Sequence, residues 1–259
     1  MTGGDPAISA VVITRDAGAH LAATLASVAF CAERLVLDSG STDDTVPNAL
    51  AAGARVEQQP FLGYGPQKCR AVDLAAHDWI LSLDADEALD AEAARAIQAL
   101  DLSDPQACFA FRRRTFVGTR EVRHGPWGGE TVLRLFHRRH AAFSRLPVHE
   151  QVEAGTPPRL LPGSILHHSF VDCADVIARS VRYAKLKADV MRAKGQRPSP
   201  WTLPARGAAN FLKSYILQGG WRDGPTGFVI AVSRVIDSTL PRALLLTDKT
   251  DTPRVDRSE

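Results

Sequence analysis

Cysteine is scarce in this sequence. Among 259 residues there are four, Cys31, Cys69, Cys108 and Cys173, far apart and with no CxxC pair. That spacing argues against a thiolate zinc module and against the dense disulfide framework of small secreted domains, so free thiols in a reducing compartment are expected. No apolar run reaches the roughly 18 residues needed to span a bilayer. The opening stretch MTGGDPAISAVVIT lacks a basic segment ahead of a long apolar run and does not read as a secretory signal. Excess charge is also lacking. Against 29 Asp and Glu stand 31 Lys and Arg, and a net +2 leaves no bulk electrostatic footprint for nucleic acid. There is no internal repeat and no low-complexity tract. What remains, 45% hydrophobic and 23% charged, fits one large α/β domain, alone or with a helical appendage.

The charges that are present are unevenly placed. Acids concentrate between Asp38 and Asp104, whereas Arg and Lys dominate from Arg112 to Arg145 and from Arg179 to Arg197. Such a pattern suits a centre holding a metal and phosphates, or two solvated faces. The first hundred residues alternate in character. β-branched or apolar runs at 8–14, 35–37, 54–58 and 79–83 read as buried strands, and 18–30, 49–52 and 67–76 read as helices. Thr42 or Asp43 is placed to cap the second helix and Gly53 to end it. Strand–helix alternation predicts a parallel, doubly wound sheet, whose ligands sit beyond the carboxyl ends of the strands. Asp38 and Asp84 fall at two of those ends.

After Asp104 the pattern changes to alternating strands, CFAFRRRTFVG and TVLRLFHRR, around a Gly/Pro turn from His124 to Gly129. PGSILHHSF reads as a further strand. Residues 172–194 form a helix whose apolar stripe is Val176, Ile177, Val181, Tyr183, Leu186 and Val190. QRPSPWTLP reads as a linker, 211–217 and 228–240 as apolar helices, and the end from Thr247 as a polar tail. The expected organisation is therefore a catalytic and ligand-binding domain over 1–170, a helical extension over 171–246 and a tail over 247–259.

The strongest chemical signal is LSLDADE, residues 81–87. An apolar strand delivers Asp84 and Asp86 into a loop with Ala85 between them. Two carboxylates so spaced can hold a hard divalent cation that keeps water and phosphate oxygens as its other ligands. They also suit the cap of a following helix. The segments ISAVVITRDAG, LVLDSGSTDDT and GYGPQKCRAVDLAAHDWILSLDADE occur in that order, and together they resemble the family-2 glycosyltransferases of GT-A fold. Within them the chain is most similar to the bacterial lipopolysaccharide core β-1,4-glucosyltransferase group. The resemblance extends from residue 8 to about residue 240 and is most specific up to Glu87.

That resemblance implies an α/β, GT-A (Rossmann-like), mostly parallel sheet flanked by helices, with a C-terminal helical extension. It implies a divalent metal, Mn2+ or Mg2+, and a UDP-sugar donor, with UDP-glucose the expectation. Thr14 and Arg15 close the first strand where the family contacts the nucleotide. Asp38 accepts a hydrogen bond from the uracil ring, or caps its own turn. Gln67, Lys68 and Arg70 flank the donor cleft; Lys68 neutralises the diphosphate, and Arg70 is either a donor contact or a solvated position. Asp84, with Ala85 beside it, reaches the ribose or the metal, and Asp86 binds the metal. His167 is a third metal ligand or a hydrogen-bonded core histidine.

HGPWGGETVLRLF resembles the acceptor-side segment of the family, with Glu130 where near relatives more often place Asp. LPVHEQV resembles its His-Glu motif. Direct displacement with inversion needs one base for the acceptor hydroxyl. Glu150 is the first choice and Glu130 the second, although Glu150 also suits an ion pair with Arg145 or another nearby cation. Trp127 is placed to stack on an acceptor sugar or to pack in a core, and His149 is expected on the acceptor side. The acceptor implied is a glycan or glycolipid, a lipopolysaccharide core sugar above all. The Lys/Arg-rich helix 183–197 and the apolar segments 211–217 and 221–232 suit contact with anionic lipid, or cover of the sheet. The location expected is cytoplasmic, or peripheral on the inner face of the cytoplasmic membrane. Two other readings share parts of this pattern. One is a sugar nucleotidyltransferase, although TRDAGAHLAATL holds a single glycine where such enzymes carry a Gly-rich phosphate loop. The other is a non-catalytic nucleotide-sugar-binding module.

Overall fold

The computed structural model of the protein describes residues 7–144 and 150–247. They form two compact units. The first comprises 7–116, 129–144 and 150–169, and the second 117–128 and 170–247. The expected boundary near residue 170 differs from this division at 117–128, which the chain contributes to the second unit before returning to the first.

The first unit begins with the alternation read from the sequence: β1 (Ile8–Thr14), α1 (Gly18–Ser27), β2 (Glu33–Asp38), α2 (Thr45–Ala51), β3 (Arg55–Gln58), α3 (Tyr64–Leu74) and β4 (Trp79–Asp84). It continues with β5 (Glu87–Leu89), α4 (Ala91–Gln98) and β6 (Cys108–Val117). The strand β7 (Arg120–Val122) lies in the second unit. Then come β8 (Glu130–His137), β9 (Ala141–Phe143), β10 (Val152–Ala154) and β11 (Arg159–Phe170). The main sheet runs β3-β2-β1-β4-β8-β6-β11-β5. Its first four strands are parallel, and the pairs β4–β8, β6–β8 and β11–β5 are antiparallel. The α/β architecture is thus the expected one, and the sheet is mixed, its parallel character confined to one half.

Period-two alternation distributes the core over both faces of the sheet. Ile8, Ala10 and Val12 of β1 join Leu21 and Leu25 of α1 and Leu81 and Leu83 of β4 on one face. Val11, Leu35, Leu37, Ile80 and Phe136 meet Ala71 and Val72 of α3 on the other. Each fully buried Leu or Ile stabilises the unit by roughly 1.5–3 kcal/mol. Two local departures from the sequence reading have simple causes. Helix α3 starts at Tyr64, three residues before the expected Gln67, because Gly65 and Pro66 occupy its first turn, where proline's missing N–H costs no hydrogen bond. The short β5 was not expected, because three residues carry no periodicity and its pairing partner lies in the remote β11.

Gly163 marks a close approach within the first unit. Its φ is +81°, and a Cβ there would lie 2.2 Å from the backbone nitrogen of Ala93 in α4. Gly163→Ala is therefore expected to destabilise the fold by roughly 1–3 kcal/mol. A denaturant midpoint equal to that of the parent chain would contradict this.

In the second unit, helices α5 (Cys173–Ala193), α6 (Thr202–Leu212) and α7 (Gly224–Thr247) follow, with a π-helical turn at Lys213–Leu217 and a short 3-10 turn at Gly220–Asp223. The helix α6 begins inside the stretch expected to be a linker. Both α5 and α6 pack on α7. The buried face of α5 is Val176, Ser180, Ala184, Ala188 and Met191, whereas Tyr183, Leu186 and Val190 of the expected stripe are exposed. Small side chains every four residues let α7 approach closely, and this outweighs the burial of larger groups. No helix among the described residues is long and apolar enough to cross a membrane.

Candidate active site

Sheet register sets the site. In the parallel half, Thr14 of β1 pairs with Asp38 of β2, and Ile13 pairs with Asp84 of β4. Thr14, Asp38 and Asp84 therefore end neighbouring strands at the carboxyl edge, where parallel sheets bind ligands. The loops above them are tied to one another by side chains. Asp16, held at φ 50°, accepts from Thr42 N at 2.8 Å and donates its own N–H to Ser41 Oγ. Asp43 accepts from Gly18 N at 3.0 Å and from Thr45 N at 3.0 Å. Residues Ser41 and Asp43 thus build the turns over β1 and β2.

Beside this edge runs a chain of alternating charges. Glu130 pairs with Arg113, and Arg113 lies 3.4 Å from Glu87. Glu87 accepts from Arg134 at 2.7 Å, and Arg134 reaches Asp84 at 2.9 Å. Lys68 Nζ then bridges Asp84 Oδ1 at 2.7 Å and Glu150 Oε1 at 2.8 Å. Glu87 is fully buried and Arg134 and Lys68 nearly so. Buried ions persist only when paired and hydrogen-bonded, and each link here supplies that. Glu87 also accepts the backbone N–H of Asp84 at 3.0 Å, fixing the strand end. Burial pushes the Asp84 carboxyl upward, but Lys68 and Arg134 more than offset it and hold the group well below the usual carboxylate range. Burial disfavours the charged Arg134, yet Glu87 and Asp84 raise its pKa above the ordinary value.

Antiparallel pairing of β11 with β5 sets His167 opposite Glu87, next to the acidic loop. His167 Nε2 lies 3.6 Å from Asp86 Oδ1. Ser169 donates to Asp86 Oδ2 at 3.2 Å and also hydrogen-bonds His167, and His168 N donates to Asp86 O at 3.0 Å. Burial raises the Asp86 carboxyl, the hydrogen bond and charge of His167 lower it, and the net direction is down. His168 stacks on Phe116 at 4.6 Å, and burial lowers its pKa.

Residues 9–156, more than half of the chain, match the model of Glycosyl transferase family 2. The chain belongs to that family. It is 31% identical over 91% of its length, and 90% of the relative's, to the lipopolysaccharide core biosynthesis glycosyltransferase LpsC of Rhizobium meliloti. An uncharacterized glycosyltransferase of Rickettsia felis is 29% identical over 86% of this chain and 83% of its own. A crystal structure of glucosyl-3-phosphoglycerate synthase from Mycobacterium tuberculosis with Mn2+, UDP and glucosyl-3-phosphoglycerate is 26% identical, covering 43% of this chain and 44% of that one, with a TM-score of 0.33.

The glycosyltransferase brings together Lys68, Asp84 and Glu150 in one contact group, and Asp86 with His167 in another. The expected trio of metal ligands does not converge: among the described residues no three His, Cys, Asp or Glu side chains form a metal-holding group. The physical reason is that both Asp84 oxygens face cations, Lys68 and Arg134. Asp86 and His167 remain, a carboxylate oxygen and an imidazole nitrogen close together, and that donor set fits a divalent cation completed by phosphate and water oxygens.

The other expected residues have varied surroundings. Asp38 is fully buried and caps its own turn, with Oδ2 accepting from Gly40 N and Ser41 N at 3.0 Å each. Gln67 is also fully buried. It donates to Ser39 Oγ and Gln59 O and accepts from Leu62 N, bracing two loops instead of facing open space. Thr14 Oγ1 is buried with no hydrogen-bond partner among the described residues. Arg15 and Arg70 are exposed, and Arg15 lies 3.7 Å from Asp16. Ala85 O accepts from Thr24 Oγ1 at 2.9 Å. In the second unit Trp127 stacks on Phe170, with centroids 4.9 Å apart and planes 8° from parallel. The expected contacts His149 and Arg145 lie outside the described residues.

Sequence reasoning missed Glu87, Arg113 and Arg134. One signal was available. Arg134 interrupts the apolar strand TVLRLFH, and a charge inside a core strand implies a buried partner.

Proposed function

We propose that this family-2 glycosyltransferase moves a hexose, glucose in the first instance, from a UDP-sugar to a hydroxyl of a glycan acceptor, a lipopolysaccharide core sugar, with inversion. The observation that supports it is the Lys68 bridge between Asp84 and Glu150, set beside the Asp86–His167 pair at the carboxyl edge of the parallel strands.

In this reading Glu150 takes the acceptor proton as the hydroxyl attacks the anomeric carbon. Lys68 holds Glu150 in place before the donor enters, then turns part of its charge to the diphosphate. Arg134 and Glu87 keep Asp84 oriented toward the ribose. Thr14, Arg15, Arg70 and Ala85 line the nucleotide side, Asp38 and Gln67 shape its wall, and His149 serves the acceptor. Asp86 and His167 would hold Mn2+ or Mg2+, which when bound would supply Lewis-acid charge for the departing diphosphate. The identity to LpsC over nearly the whole chain supports the choice of acceptor.

A donor screen read by nucleoside diphosphate release, with metal and with chelator, tests this. UDP-glucose with Mn2+ is expected to be turned over, and Asp86→Ala to lose on the order of a hundredfold or more in turnover. Full activity of Asp86→Ala, or activity indifferent to chelator, would remove the metal from the mechanism. Pyrophosphate release from a nucleoside triphosphate would instead favour nucleotidyl transfer.

A further inference from the structure

The second unit carries a surface that the transfer chemistry does not use. On α6, Ala205, Ala208 and Leu212 are exposed at spacings of three and four, and Ile216 continues the series into the π-helical turn. Such spacing puts them along one side of the helix. At the ends of this strip stand Trp201, 89% exposed, Leu217, 80% exposed, and the half-exposed Trp221. Beside the strip, between α6 and α7, opens a groove of about 610 Å³ lined by Leu203, Gly207, Phe211, Leu212, Val235 and Thr239. Leu212 belongs to both, so strip and groove are continuous. Large apolar groups left in water together mark a surface that is covered in use.

Charge identifies the cover. From Lys194 to Arg222 the sequence has five cations, Lys194, Arg197, Arg206, Lys213 and Arg222, and no Asp or Glu. All five are exposed. The exposed strip of α5, Tyr183, Leu186 and Val190, differs in this respect, because the exposed Asp189 lies within it. An apolar strip in a segment whose charged residues are all exposed cations, with a tryptophan near each end of that segment, matches the boundary between anionic headgroups and hydrocarbon. We propose that the α6 face docks on an anionic lipid leaflet, with the strip entering the headgroup boundary and lipid hydrocarbon filling the α6–α7 groove. This rests on the second unit alone and stands whether or not the donor and acceptor proposed above are correct.

Flotation of the full chain with vesicles tests it. The protein is expected to float with phosphatidylglycerol/phosphatidylcholine vesicles and to bind pure phosphatidylcholine at least about tenfold more weakly. The double variant Arg206→Glu, Lys213→Glu is expected to lose the preference for anionic vesicles. Leu212→Glu with Leu217→Glu is expected to abolish flotation while leaving the circular dichroism spectrum and thermal midpoint near those of the parent, since both side chains are exposed. Parent protein that stays in the lipid-free fraction overturns the proposal. So does equal flotation of the parent and the leucine variant. A parent dimer in light scattering that the leucine variant converts to monomer overturns it as well, and makes the face a contact between copies of this chain.

Discussion

Glu150→Gln is expected to lower turnover by roughly 10²–10⁴-fold, the usual contribution of a positioned base. The substitution keeps the shape of the side chain and an oxygen able to accept from Lys68, which lies 2.8 Å away. It removes only the ability to take a proton. Loss should therefore fall on kcat, with the donor KM little changed. If Glu150 served only to hold Lys68, the pattern would reverse: donor affinity would shift and kcat would survive. Glu130→Gln is the control. Its carboxylate sits at the opposite end of the same charge chain, paired with Arg113. Full turnover in Glu150→Gln together with collapse in Glu130→Gln would transfer the role of base to Glu130.

The second large effect concerns stability. Arg134→Met is expected to destabilise the protein by about 3–5 kcal/mol, because it removes the cation shared by Glu87 and Asp84 and leaves the buried Glu87 only the more distant Arg113, at 3.4 Å. Glu87 is fully buried. Arg134 also keeps its Nε buried without a partner among the described residues, so it already carries a desolvation cost that the surrounding carboxylates, Glu87 and Asp84 first, offset. Chemical denaturation of the parent, of Arg134→Met, of Glu87→Leu and of the double variant gives the coupling directly. The double variant should recover much of the loss of Arg134→Met. A single-variant cost below about 1 kcal/mol would show that the pair is solvated in solution and does not anchor the strand end.

These two residues also mark where reading the sequence succeeds and where it stops. The strands β1, β2 and β4 were legible because short apolar runs ending at Asp38 and Asp84 have few other solutions. Lys68, Asp84 and Glu150 were each singled out, but their mutual contact was not, because it depends on how α3 lies against the strand ends. Arg134 and Arg113 were not found, since they meet Glu87 through the antiparallel placement of β8 beside β4 and of β6 beside β8, and no local pattern encodes that order. Asp38 and Gln67 show a different limit. For Asp38 a ligand contact and a cap of its own turn both fitted the residue type, for Gln67 only the contact was read, and burial and hydrogen-bond geometry show both side chains holding loops. On α5 the largest apolar side chains misled, because close helix packing selected Ser180, Ala184 and Ala188.

The pairing of β11 with β5 bears on the order in which the molecule is made. Residues 165–167 clamp residues 87–89, which leave the ribosome far earlier. Until that late strand arrives, the acidic loop has neither its histidine nor the Ser169 hydroxyl, although β1 to β4 can already pair by short crossovers. A nascent chain halted before residue 159 would thus own the parallel strands with an unfinished acidic loop, and the loop gains these partners only once residues 165–169 have emerged.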